Sequence, residues 1–202
     1  MIITGGRSTS SGKSSKYKIA LGQKTNSYNQ DSLEDVMEVT EWSNPNYGKS
    51  GYDTNCQRCV VAFEVNMRGY NVAALPNSGN SDIYPHSDNW TKFFGKDINS
   101  MVSVSSTSVS SQKNKILNQM GAWGGHSRAV LEVKWKGKDY GHVINIINTK
   151  SGVSAWDAQT GRRVSLDNIL SRSSLKNTKL LRTDDANLNN SHIHNAIQAV
   201  KD

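Results

Sequence analysis

The stretch that most constrains the fold is residues 128–159. There, RAVLEVKW, GHVINIIN and VSAWDAQ are separated only by short turns, KGKD and NTKSG. Parallel strands need a crossover of about a dozen residues or more, so runs this close together must pair as an antiparallel meander. The best helix lies well upstream, from about Asn55 to Arg68. Thr54 and Gln57 stand in the relation of a capping box, and Gly69 follows as a C-terminal stop. Val60, Phe63 and Met67 form a stripe flanked by Val61 and Cys59, which marks a buried central helix.

Shorter signals complete the outline. Leu33, Val36 and Met37 give 31–40 an amphipathic helical pattern, and a Pro/Gly/Asn-rich loop covers 42–53. Residues 70–76 read as a strand that breaks at Pro76. A polar loop over 77–100 is anchored by Trp90, Phe93 and Phe94, and the Ser-rich 103–111 is a low-complexity polar stretch that can form a strand. Ser110 or Ser111 is placed to cap a helix running through Met120, Ser165 to cap one from Leu166, and a last helix is expected near 192–200. Helices first and sheet last make an α+β domain, with a central helix packed on a C-terminal antiparallel sheet.

The formal charge of +7 invites a nucleic-acid reading, but five basic residues and no acid fall in 1–30, and the remaining 172 positions are nearly neutral. The division expected is a flexible basic Ser/Gly-rich tail over 1–30 and a catalytic domain over 31–202, best supported over 40–170, with no specific nucleic-acid partner. GGRSTSSGKS in the tail falls short of a phosphate loop, because Arg7 stands where the first glycine is required. The N-terminus lacks the apolar core of a secretory signal, and no apolar run approaches the ~20 residues of a membrane span.

Two cysteines cannot build a disulfide scaffold, so Cys56 and Cys59 need a chemical role or a packing one. A helix's first turn favours negative charge and hence a thiolate, which favours Cys56 as nucleophile; Cys59 sits one turn deeper, where burial favours the neutral thiol. Such a nucleophile needs a base and a group that orients it. Of the five histidines, His86, His126, His192 and His194 lie in polar loops or turns, and His142 alone opens an apolar strand. Pairing Thr149 with Gly152 sets His142 opposite Gln159 and puts Asp157 on the same face two residues away. A slip of two sets His142 opposite Asp157, and a slip of one separates them. Two non-catalytic readings compete. A redox C-x-x-C requires a βα junction that the loop before Asn55 lacks, and zinc would need Cys56, Cys59 and two further ligands, of which His192 and His194 are the obvious pair. Neither a metal nor another cofactor is expected.

The blocks TNCQRCVVAFEVNMRGYNVAALP, GHVIN and WDAQTG, in this order, resemble the papain-fold toxin domains of glutamine deamidase type found in bacterial polymorphic toxins and phage-borne proteins, over about residues 40–170. The resemblance implies a papain-like fold and a catalytic set of helix-initial Cys56, strand His142 and, in the next strand, Asp157, where papain itself has Asn. It further implies a target protein carrying a reactive glutamine, an immunity protein, and delivery by a non-classical route or a phage particle. The developing oxyanion would meet the backbone N–H of Cys56 and a second donor drawn from Asn55, Gln57 or Gln159. The same acyl-enzyme chemistry serves a cysteine protease or a transglutaminase, and a non-catalytic binding module is the alternative from another class.

Overall fold

The computed structural model describes residue 24 and residues 26–77, 90–188 and 191–200. The basic Ser/Gly segment, the near-miss phosphate loop and His86 lie outside them.

Helix α1 (Leu33–Trp42) starts at Ser32, whose hydroxyl accepts from the Asp35 N–H, with Glu34 and Asp35 in the first turn where the helix dipole favours them. Helix α2 (Cys56–Met67) is buried at every position from Arg58 to Met67, more completely than a one-sided stripe implies. Strand β1 (Val72–Ala74) follows, then a 3-10 turn over Thr91–Phe94 that buries Trp90, Phe93 and Phe94 as anchors. The chain continues through β2 (Val102–Ser103), α3 (Val109–Trp123), β3 (Arg128–Lys134), β4 (Gly141–Thr149), β5 (Gly152–Asp157), β6 (Arg162–Val164), α4 (Leu166–Arg172), β7 (Lys179–Arg182) and β8 (Ile197–Ala199).

The expected meander is the centre of a larger sheet of order β2-β7-β3-β4-β5-β6, antiparallel at every pairing. The added strands span two to four residues, too short for alternation to show in sequence. Both faces of the sheet are covered. Val130, Val143, Ile147 and Trp156 pack in the cluster with α2, whereas Leu131, Ile144, Ile146 and Ala155 pack with Ile116 and Met120 of α3 and Ile169 and Leu170 of α4. Burial of alternate residues on opposite sides explains why β4 reads as a continuous apolar run.

Three local expectations are corrected. Ser108, not Ser110 or Ser111, caps α3, accepting from the Ser111 N–H at 3.2 Å, and the helix runs past Met120 to Trp123. No helix spans 192–200: a 3-10 turn over Ile193–Asn195 leads into β8, which pairs with β1, and Ile193 and Ile197 enter the α2 core. Backbone pairing to the otherwise short β1 outweighs the local helical pattern there. Thr54 does not cap α2 either. Asn55 occupies the N-cap without a capping bond from its side chain, which is engaged in holding the loops around the site.

Candidate active site

Cys56 is the first residue of α2, half-buried, with a free thiol. The polar residues just before it set its position. Asn55 Nδ2 donates to the Leu75 carbonyl at 3.0 Å and to Asn44 Oδ1 at 3.3 Å, and Asn44 Nδ2 donates to the Tyr52 and Gln159 carbonyls, each at 2.8 Å. Two buried carboxamides therefore tie the loop after α1 and the start of α2 to the residues that follow Asp157. Their many satisfied bonds make the arrangement rigid.

The register of β4 and β5 is the one set by pairing Thr149 with Gly152. His142 at the start of β4 and Asp157 at the end of β5 thus share a face. His142 Nε2 donates to Asp157 Oδ2 at 3.1 Å, with both side chains nearly nine-tenths buried. The Cys56 thiol lines the same cleft as the imidazole and interacts with it. Asp157 Oδ1 accepts from the Gln159 N–H at 3.0 Å, fixing the carboxylate from its other side. Trp135 stacks on the imidazole, ring centroids 5.9 Å apart and planes inclined by 19°.

Burial disfavours an imidazolium at His142, but the hydrogen bonds to Asp157 and Cys56 and their charges outweigh it, pushing the pKa up to about 10. Burial likewise works against the Asp157 carboxylate and is outweighed by the His142 bond and charge, so its pKa falls below the ordinary value. A histidine whose folded pKa exceeds its unfolded value contributes stability that is complete below the unfolded value, ordinarily about 6.5, and is lost as pH rises through the folded one. The thermal midpoint should therefore decline as pH rises from about 6.5 towards about 10. A His142→Ala chain should show a flatter profile over that range in differential scanning fluorimetry.

The two cysteines differ sharply. Cys59 is fully buried, its thiol donates to Asn55 Oδ1 at 3.1 Å, and burial pushes its pKa well above the usual thiol range, reinforced by the nearby Cys56 and Asp157 charges. Cys56 instead lines a cleft of about 340 Å³ together with Gln57, Glu132, Tyr140 and His142. Among the three donors considered for an oxyanion, Asn55 is 2% exposed with its amide nitrogen committed elsewhere. Gln159 lines the cleft on the Asp157 side, and Gln57 shares the cleft of Cys56. The other described histidines lie elsewhere. His126, at a backbone φ of 67°, contacts Asp31 at 2.9 Å, and His192 and His194 are at the 3-10 turn before β8. Among the described residues, no three or more His, Cys, Asp or Glu side chains are arranged to hold a metal ion. No described helix is long and apolar enough to cross a membrane.

Sequence reasoning missed Asn44 and Trp135. Val133 pairs with His142, which places Trp135 on the histidine's face; that signal is readable once the first hairpin's register is fixed. Nothing in the sequence near Asn44 identifies its partners, which are remote in the chain. Gly141 was passed over too. A Cβ there would overlap the Val133 carbonyl oxygen, so only glycine lets β4 approach β3 just before His142. Gly141→Ala should destabilise the chain by about 1–3 kcal/mol, measurable as a shift of the denaturant midpoint at unchanged m-value.

A sequence profile of the family described as papain fold toxin 1, glutamine deamidase, matches residues 54–162. No curated protein matches the chain. Among solved structures, the Salmonella effector SpvD, in its G161 variant, superposes with a TM-score of 0.60 at 16% identity, covering 86% of this chain and 90% of that one. At that identity the likeness is one of fold, and it agrees with the helix-on-antiparallel-sheet arrangement described above. The family match takes in more than half of the chain, from the residue two before Cys56 to the start of β6, and with it all of β3, β4 and β5. This chain belongs to the papain-fold toxin family of glutamine deamidase type.

Proposed function

We propose that the chain deamidates a glutamine side chain of a target protein, with Cys56 as nucleophile, His142 as proton carrier and Asp157 as the group that orients it. The observation that carries this reading is the line of contacts from a helix-initial thiol through His142 to Asp157 at the wall of an open cleft. In the first step the Cys56 thiolate attacks the carboxamide carbon, forming a tetrahedral oxyanion that the α2 N-terminus, with the Cys56 backbone N–H, is placed to stabilise. The C–N bond then breaks as His142 gives its proton to the departing ammonia, leaving a thioester on Cys56. Water, deprotonated by His142, attacks the thioester; glutamate forms and the thiol is restored. Asp157 accepts from the imidazole Nε2–H, so Nδ1 is the ring nitrogen left to exchange a proton with sulfur, and the carboxylate stabilises the cationic form throughout.

Gln57 is the side chain best placed to supply the second oxyanion donor, since it lines the same cleft as Cys56 while Asn55 has no amide hydrogen to spare. Membership of a toxin family supports a target protein as partner, and an immunity protein belongs to the same proposal. Incubating the chain with a glutamine-rich protein substrate and analysing the product by mass spectrometry tests the reading. Conversion of glutamine to glutamate is expected. Chain cleavage would point to proteolysis instead, and an amine adduct to transglutamination.

A further inference from the structure

Cys59 lies one helical turn from Cys56 and has no part in the deamidation chemistry. Positions three apart on an α-helix share a face, and their Cα atoms are about 5 Å apart. That falls within the Cα separation of a disulfide, about 4.4–6.8 Å. The Cα–Cβ bonds of a helix tilt towards its N-terminus, and the Cys59 thiol points that way, donating to Oδ1 of Asn55, the residue just before Cys56, at 3.1 Å. Cys56 packs, half-buried, against the apolar cluster that contains Cys59, and the two lie close enough for a Cys56 charge to act on the Cys59 thiol. This end of the helix is also the one that yields most easily. Cys56 is the first helical residue, so its N–H has no acceptor within the helix and can shift without breaking the ladder.

The two thiols differ in access. Cys56 opens on the cleft, where a small oxidant reaches it, whereas Cys59 is 0% exposed and burial keeps its proton on the sulfur. We propose that Cys59 is a resolving thiol: oxidation of Cys56 by a peroxide leads to a Cys56–Cys59 disulfide, which blocks the nucleophile reversibly and prevents its further oxidation. The effect on activity rests on the deamidase reading; the disulfide itself does not. In the first step the Cys56 sulfur attacks one peroxide oxygen. The O–O bond breaks, the second oxygen leaves as water with the thiol proton, and Cys56 becomes a sulfenic acid. The Cys59 sulfur then attacks the Cys56 sulfur, the S–S bond forms as the S–O bond breaks, and hydroxide departs with the Cys59 proton as a second water. Sulfur is oxidised and peroxide reduced, and a dithiol reverses the change by two exchange steps, becoming a disulfide itself. Without Cys59 the sulfenic acid would persist and take a second oxygen from peroxide, giving a sulfinic acid that thiols do not reduce.

The test treats the reduced full chain with hydrogen peroxide, blocks the remaining thiols with iodoacetamide and digests with trypsin without reduction. Cleavage after Arg58 separates the two cysteines. The disulfide should therefore appear as peptides 50–58 and 59–68 joined to each other, in a chain that stays monomeric, and dithiothreitol should release them. Cys59→Ser, which keeps a donor to Asn55, should instead gain two oxygens on Cys56 that dithiothreitol does not remove. With a glutamine-bearing substrate, oxidised wild type should lose conversion in proportion to the joined peptides and recover it fully with dithiothreitol, and oxidised Cys59→Ser should not recover. The joined peptides are read in the wild type, so the disulfide is tested even where the variant unfolds. Peptides that stay separate after oxidation of the wild type, a disulfide between two chains, or equal sulfinic acid at Cys56 in wild type and Cys59→Ser would overturn the proposal. If the joined peptides form but the reduced wild type makes no glutamate, the deamidase reading fails while the assignment of Cys59 stands.

Discussion

A chain carrying Cys56→Ala should convert glutamine to glutamate at least about 10⁴-fold more slowly than wild type, the scale on which removal of an acyl-transfer nucleophile acts. Cys59→Ala should stay within about tenfold of wild type, because it leaves the proposed nucleophile Cys56 and its proposed base His142 in place. The contrast follows from the first turn of α2. Cys56 lines the cleft with His142, whereas Cys59 is fully buried and donates a hydrogen bond to Asn55 Oδ1. Losing the Cys59 thiol weakens the hold on Asn55, which then keeps only its 3.4 Å contact from Asn44 Nδ2 at that oxygen. Cys59→Ala should therefore be read mainly in stability, with a loss of about 1 kcal/mol. Rates by mass spectrometry and midpoints by chemical denaturation separate the two effects.

The largest effect on stability is expected at Glu64, on the inner side of α2. Its fully buried carboxylate accepts from Arg68 Nε at 2.9 Å, Arg128 Nε at 2.9 Å, Arg128 Nη2 at 2.7 Å and Thr183 Oγ1 at 3.0 Å. Burial disfavours the charge, but the Arg128 and Arg68 guanidinium groups overcome it and hold the Glu64 carboxyl below its ordinary pKa. Arg68 also donates to the carbonyls of Thr183, Asp184 and Ala186, so the cluster joins the central helix to β3 and to the segment after β7. Glu64→Ala would strand two inward-facing guanidinium groups, and breaking a buried pair from one side costs about 3–5 kcal/mol. Denaturant unfolding should report that loss. Glu64→Gln, which keeps the shape and part of the hydrogen bonding, should lose less.

The parts of the molecule legible in sequence were those with a strong local period or a short turn. The three strands over 128–159 and the helix carrying Cys56 have both, and the hairpin turn at Lys150–Ser151 fixed the register that brings His142 to Asp157. Elements held by remote partners were not legible. β8 exists because β1 offers it an edge, and Leu180 and Leu181 of β7 are buried by pairing with β3, although the surrounding segment reads as polar. The cap of α2 failed for a related reason. Thr54 and Gln57 have the spacing of a capping box, but the residue at the N-cap is Asn55, whose carboxamide makes tertiary bonds to Leu75 and Asn44. At the site, residue type and strand position pointed to His142 and Asp157. Asn44 and Trp135 act through contacts that only the folded chain creates.

The proposed chemistry is tested most directly by quenching the wild-type chain in acid during turnover of a glutamine-bearing protein and locating the acyl group by peptide mass analysis. The account predicts a thioester on the peptide containing Cys56, specifically at Cys56, and none in a Cys56→Ala chain. An acyl group on Cys59, or glutamate formed at the wild-type rate by Cys56→Ala, would contradict it.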